Sequence, residues 1–326
     1  MKRSAKIWLI LAAVLVLAGS LSFVMIMSKQ KWDFTSVGNV KPVESEFEIT
    51  EPFRNISIRS DTEKILIRKS RDGKFRVLFT EPEYIEPSVS VQNGTLMVSR
   101  TDNRSWTDRI GFSFGMDSYI SVDLPEGSYG ALSIEEDTGT VIVEKDFTFD
   151  RVDIADTTGD VFCKASSNGS IRIAANTGDI YVLDISAESV VVSVTTGGVL
   201  LDGVSCTEDL TVTVDTGRAI LNNISCRNFL TTGDTGNLSV EKLNASGTIS
   251  VERTTGDVAI LASDAGELNI VTDTGDVRGS LLTDKIFIVK TDTGEIHVPE
   301  TTSGGICRVT TDTGDIHIKI GEWLAG

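Results

Sequence analysis

Ten Thr-Gly pairs are spaced almost evenly through the chain, with glycine at Gly139, Gly159, Gly178, Gly197, Gly217, Gly236, Gly256, Gly275, Gly294 and Gly314. The successive intervals are 20, 19, 19, 20, 19, 20, 19, 19 and 20 residues. A period of that length marks a repeat architecture, in which each unit buries its apolar face only by stacking on its neighbours. Two residues after each glycine stands Val141, Val161, Ile180, Val199, Ala219, Leu238, Val258, Val277, Ile296 or Ile316. Four residues after it the column is again apolar or Cys, except at Gly279. Five and seven residues before it lie two more apolar columns, such as Ile134 with Leu132 and Val212 with Leu210. This is period-two alternation on two short strands per repeat, joined by turns. A second turn falls half a repeat away, at Gly169, Gly203, Gly247, Gly266 and Gly305. The expected fold is all-β: a single-stranded parallel β-solenoid with 19–20-residue coils, stacked in chain order at about 4.8 Å per coil. An aromatic share of only 6% suits such a thin core.

The ruler covers residues 130–326 as a solenoid domain of about ten coils. Residues 32–129 form a less regular β region. IRSDTEKILI at 58–67 matches the repeat, with Glu63 at the glycine position, and reads as a degenerate first coil. KFRVLFT at 74–80 and SVSVQNGTLMVS at 88–99 read as strands, with Asn93-Gly94 as a hairpin turn. They are placed to cap the open strand edges at that end.

Lys2, Arg3 and Lys6 precede an uncharged apolar run from Ile7 to Met27. A run of that length spans a hydrocarbon core of about 30 Å at about 1.5 Å per residue. Residues 1–31 are therefore expected to hold an N-terminal transmembrane helix, with the basic end inside. The location that follows is the cell membrane: single-pass, with an extracytoplasmic C-terminal domain. A signal peptide cleaved near Ala18-Gly19-Ser20 is the alternative. No Cys follows the run, so a lipoprotein box is absent.

The N-terminal anchor, the VDLPEG segment at 122–127 and the turns DTGTV, TTGDV, NTGDI and DTGEI resemble the bacterial putative-adhesin family of unknown function. That family includes membrane-anchored proteins encoded beside envelope-stress systems. The resemblance covers nearly all of the chain after the anchor. It implies adhesion and assigns no residue a role.

Asp-Thr-Gly also carries the catalytic carboxylate of aspartic proteases, and it occurs here at Asp137, Asp215, Asp234, Asp273, Asp292 and Asp312. A protease needs two carboxylates sharing one proton across a cleft, not six stacked copies. Thr or Asn replaces the Asp at 157, 176, 195 and 254 without disturbing the period, so the tripeptide is a turn. The uniform Thr column before each glycine reads as a hydroxyl ladder that satisfies turn backbone groups. An ice-binding face would want paired Thr columns, and only Thr272, Thr291 and Thr311 supply a second one. Asp273, Asp276, Asp292, Glu295, Asp312 and Asp315 repeat an acidic pair in three coils. Like charges about 5 Å apart need solvent or a cation to screen them, which makes these six weak calcium candidates. The glycine-rich nonapeptide of calcium-binding β-rolls is missing. His297 and His317 share one outward column. Cys163 and Cys307 fall in inward columns, and Cys206 with Cys226 in a corner column of small residues, within disulfide reach of each other.

Residues 130–326 carry 31 acidic against 13 basic side chains, which excludes a phosphate-binding surface and hence nucleic acid as a partner. No nucleophile, phosphate-loop or zinc motif appears, and no cofactor is implied. The reading is a non-enzymatic, membrane-anchored surface module that binds a cell-wall polymer, a surface ligand or another membrane protein. The alternative is an accessory or sensor protein of an envelope-stress response.

Overall fold

The computed structural model describes residues 3–29, 42–82, 85–102 and 118–321. From Gly127 onward the chain winds in parallel coils, and each strand pairs with its counterpart in the coils on either side. Thr138 aligns with Thr158, Thr158 with Thr177, Thr177 with Thr196 and Thr196 with Thr216. The parallel β-solenoid read from the glycine spacing is the observed architecture, with about ten coils.

Each Thr-Gly turn makes two backbone bonds to the next coil. The Gly159 N–H donates to the Thr177 carbonyl at 2.9 Å, and the Val161 N–H to the Asp179 carbonyl at 3.0 Å. The threonine column thus serves the turns through its carbonyls. Its hydroxyls face outward, so the expected hydroxyl ladder is corrected to a carbonyl one. Glycine is needed at these turns for two reasons. Gly236 takes φ 133° and Gly217 φ 142°, a region hostile to residues with a Cβ. A Cβ at Gly236 would also penetrate the carbonyl oxygen of Gly217 one coil away.

A feature the alternation did not reveal divides the second half of five consecutive coils. In Ile180–Ala187 the buried positions are 180, 182, 185 and 187, one residue out of strict alternation. The extra residue is Asp184, in the left-handed region at φ 54°. Gly203, Asn223, Lys242 and Ala262 hold the same conformation at the same place in later coils. Each turns the chain onto a short third side that buries Ile185, Val204, Ile224 and Leu243.

Stacking departs from chain order at both ends. Asn55–Ser60 and Lys64–Lys69 form the expected degenerate coil and pair with Gly127–Thr138 and Val141–Val143. Beneath it lie Thr95–Asp102 and Tyr119–Leu124, also parallel. Antiparallel strands then close that end. Ile85–Gln92 returns along Thr95–Asp102 through the Asn93-Gly94 turn, at φ 51° and 73°. Arg76–Pro82 pairs with Tyr119–Leu124, and Pro42–Glu48 lies outside it. At the other end Gly305–Thr313 and Ile316–Ile320 insert between the Val258–Thr274 coil and the Lys285–Thr293 coil. The packing shows why. Cys307, Val309, Ile316 and Ile318 are fully apolar-facing and buried, whereas Ile286, Ile288 and Ile296 remain exposed on the terminal coil. Gly279, the exception in its column, leaves room for the Ile318 side chain, whose Cγ1 would sit 3.2 Å from a Cβ there.

Arg3–Lys29 is helical, yet among the described residues no helix is long and apolar enough to cross a membrane. This overturns the expected transmembrane anchor within residues 1–31 and, with it, the single-pass cell-membrane location; the extracytoplasmic placement, which rested on that anchor, loses its support.

Gly236→Ala should lower unfolding free energy by on the order of a few kcal/mol, through strain and overpacking. Asp234→Thr should change it by less than about 1 kcal/mol, because other coils already use Thr there. Urea denaturation of both variants checks the contrast. The inserted coil has its own test. Cysteines replacing Asn269 and Arg308 should be joined by a short thiol-specific cross-linker, because those residues are in-register neighbours on adjacent coils. Cysteines replacing Asn269 and Ile288 should not, since a coil lies between them.

Candidate functional site

The third residue after each glycine points away from the core, where a solvated acidic rod would carry polar side chains. In six coils it carries apolar ones instead. Leu66, Ile142, Phe162, Tyr181, Leu200 and Ile220 stand in register, each beside the next, and all are half-buried. The Phe162 and Tyr181 rings stack face to face at 4.5 Å. At about 4.8 Å per coil the stripe runs roughly 25 Å along one face.

An open groove of about 590 Å³ adjoins this stripe along the turn edge, lined by Asp179, Gly197, Gly198, Gly217, Arg218, Gly236 and Asn237. It exists because the column after the glycines is interrupted there. Asp160 accepts the Asp179 N–H at 2.8 Å, and Asp179 accepts the Gly198 N–H at 2.6 Å. Gly198 then has no side chain to continue the series, and Arg218 takes the next place with no carboxylate in ion-pair reach among the described residues. The Tyr181 hydroxyl donates to Asp179 at 3.2 Å, tying the groove to the apolar stripe. The sequence showed Gly198 and Arg218 as breaks in a Gly-Asp pattern, but only the stacking places them side by side.

The same bonding explains the acidic column. Asp257 accepts the Asp276 N–H at 3.0 Å, Asp276 accepts the Asp315 N–H at 3.0 Å, and Asp315 accepts the Glu295 N–H at 2.8 Å. Of the calcium candidates, the Asp276 and Asp315 carboxylates therefore already bond the backbone of the next coil, in the stacking order 276, 315, 295. Asp273, Asp292 and Asp312 lie outward on the other side of the turn, and Asp292 pairs with Lys290 at 2.7 Å. Among the described residues no group of three or more potential ligands is disposed to hold a metal ion.

The column three residues before the glycines faces inward, and the sequence reading missed it. Thr272 and Thr311 are buried, and the hydroxyls of Thr311 and Thr291 donate to the Gly275 and Gly314 carbonyls at 3.2 and 3.0 Å. The second threonine column is thus interior, which removes the paired surface that ice binding requires. In the same column Arg253 is fully buried. Its guanidinium donates to the Val214 carbonyl at 3.2 Å and the Thr231 hydroxyl at 3.0 Å, in space left by Gly233. Burial away from any carboxylate lowers its proton affinity. Farther along this column are Glu136 and Asp156, also buried. The signal for them was visible: two acids at a position where neighbouring coils carry Ala175, Val194 and Val214.

All four cysteines are free and buried, so the possible 206–226 bridge is absent. Burial pushes the Cys206 and Cys226 thiols up to about 12, which leaves them inert. His297 and His317 stack in one exposed column at 5.6 Å, as the spacing required.

A family profile matches residues 53–217 and 206–324, which together take in nearly all of the coiled region. The chain belongs to the Toastrack DUF4097 family. No curated protein matches it. Among solved structures, the chain is similar to a putative adhesin from Bacteroides fragilis NCTC 9343, at 14% identity over 86% of this chain and 97% of that one, with a TM-score of 0.42. A putative lipid binding protein from Parabacteroides distasonis ATCC 8503 aligns at 10% identity over 87% of this chain and 98% of that one, with a TM-score of 0.42. A putative adhesin from Parabacteroides merdae ATCC 43184 aligns at 13% identity over 74% of this chain and 96% of that one, with a TM-score of 0.34. These names describe those proteins.

The acidic Toastrack column yields a graded prediction. Asp276→Asn keeps the acceptor for the Asp315 N–H and should leave stability within about 0.5 kcal/mol, whereas Asp276→Ala should cost about 1 kcal/mol. Calcium should raise the melting temperature no more than magnesium does. A calcium-specific rise that disappears in Asp276→Asn would instead assign the column to a cation.

Proposed function

We propose that this Toastrack chain is a non-enzymatic binding module of the adhesin type. Its partner, a polymer or a protein surface, lies along the stripe from Leu66 to Ile220 and is oriented by the adjoining groove. The observation that carries this reading is the in-register series of six outward apolar side chains on a strongly acidic rod. Those positions contribute nothing to the inward core, so the fold does not require them to be apolar. Continuous outward apolar surface on an otherwise solvated protein marks an interaction face. Arg218 and the Tyr181 hydroxyl add polar contacts at the rim, where they fix orientation more than they add affinity.

The non-enzymatic part of the reading rests on where the reactive groups sit. The carboxyls whose proton affinity burial raises, Glu81, Glu136 and Asp156, are inside the stack and not at the groove. A general acid or base must reach its substrate within hydrogen-bond distance.

The test is capture of cell-wall polymers and proteins from the source organism on immobilised full-length chain. Tyr181→Ser with Ile220→Ser should reduce capture at least tenfold while leaving the melting transition in place. Capture that is undiminished by this pair, with the fold intact, would move the binding face elsewhere.

A further inference from the structure

The degenerate coil at 55–69 carries Glu63 where every later coil carries glycine, and its carboxylate lies inside, 1% exposed. Around it gather acids from three other elements. Glu81 comes from Arg76–Pro82, Glu136 from Gly127–Thr138 and Asp156 from Phe147–Thr158, and all three are buried. One guanidinium faces them among the described residues. Arg100, from Thr95–Asp102, places Nη1 2.6 Å from Glu63 and donates from Nη2 to the Thr62 hydroxyl at 2.9 Å. Glu63 is fully served: it also accepts from the Ser60 hydroxyl, from the Thr62 hydroxyl at 2.9 Å and from the Thr62 N–H at 3.2 Å.

The other three acids are not. Glu136 accepts the Thr138 N–H at 3.3 Å through one oxygen, and Asp156 the Thr158 N–H at 3.0 Å through one oxygen. Among the described residues, the second oxygen of each, and both oxygens of Glu81, have no hydrogen-bond partner. A buried carboxylate without donors is costly, and four beside one arginine would leave three negative charges in a dry space. A carboxyl that keeps its proton avoids that cost. Outside the cluster Asp61, at 3.7 Å from Arg100, and Asp137 and Asp160, near Asp156, add only more negative charge.

We propose that this joint is a proton-held latch, which fastens the N-terminal cap to the solenoid while Glu81, Glu136 and Asp156 are protonated and loosens when they ionise. The cap and the first full coils meet across this joint, beside the pairing of Asn55–Ser60 with Gly127–Thr138, the Arg59–Glu135 and Arg54–Asp150 ion pairs and the apolar core. Ionisation acts at this contact and not on the middle coils, which hold none of the four acids.

The direction follows from linkage. Burial, with Glu63 nearby, pushes Glu81 up to about 7 and Glu136 up to about 8, and burial pushes Asp156 up to about 6. In the unfolded chain such groups release their protons near pH 4. The folded joint thus binds more protons than the unfolded one between about pH 4 and pH 8. Its stability is complete below that window and is lost as pH rises through it.

Hydrogen exchange on the full chain tests this, with rates corrected for the intrinsic effect of pH. Protection of peptides from 55–69 and 95–102 should fall on the order of tenfold or more between pH 6 and pH 8.5, while peptides from 190–250 keep theirs. Glu81→Gln with Glu136→Gln, which mimics the protonated pair, should flatten that response. Cap protection that ignores pH in the wild type would overturn the proposal by itself, whether or not the variant folds. So would an equal fall in the middle coils, or a double variant that keeps the whole wild-type response.

Discussion

The whole rod depends on how closely one coil can approach the next at the Thr-Gly corner. There the backbone of each glycine from Gly159 onward lies against a glycine carbonyl of the adjoining coil, with no room for a Cβ. Two backbone bonds per corner, from Gly159 to Thr177 and from Val161 to Asp179 in one coil pair, hold the strand spacing on both adjoining sides. If one corner were pushed apart, the strands on either side would lose register with their neighbours. The apolar columns need that spacing to bury one another, because each coil is only one side chain deep. Packing and hydrogen bonding therefore rest on one residue type at one position.

Irregularities in the column then become informative, because the stack amplifies each of them. Glu63 in a glycine place draws three other buried acids and Arg100 around it, and the cap begins there. Gly233 opens the room that Arg253 fills. Gly198 stops the run of side-chain acceptors and leaves a groove beside Arg218. Gly279 accommodates Ile318 and marks where a coil from later in the chain slides in. None of these departures disturbs the period, and each creates a local property that the regular coils lack.

Two of them bear on function in different ways. The groove at Gly198 lies on the outside, next to the stacked Phe162 and Tyr181, where a partner can reach it. The acids at Glu63 lie inside, where only a proton can respond to them. A rod of this kind offers its partner a rigid face, since inward side chains are interlocked along its length. Its most adjustable element is the end, where parallel coils give way to the antiparallel strands of the cap.

The sequence by itself determined the solenoid, its period, the inward columns and the turns, because a repeat writes the same local requirement ten times. One glycine is ambiguous, but ten at a fixed interval are not. It also placed the histidines outward and Cys163 and Cys307 inward, since alternation fixes the face of each position. The order of the end coils was decided only by tertiary packing, because equivalent coils accept one another in any order and the best-buried set wins the inner place. The left-handed corner at Asp184 was equally hidden, for Lys242 and Ala262 hold it without any typical residue. The acidic column looked like a cation array until the structure showed the Asp257, Asp276 and Asp315 carboxylates bonded to the next coil. The buried acids and the groove needed the stack as well, because residues about 20 positions apart become neighbours only when the coils close on one another.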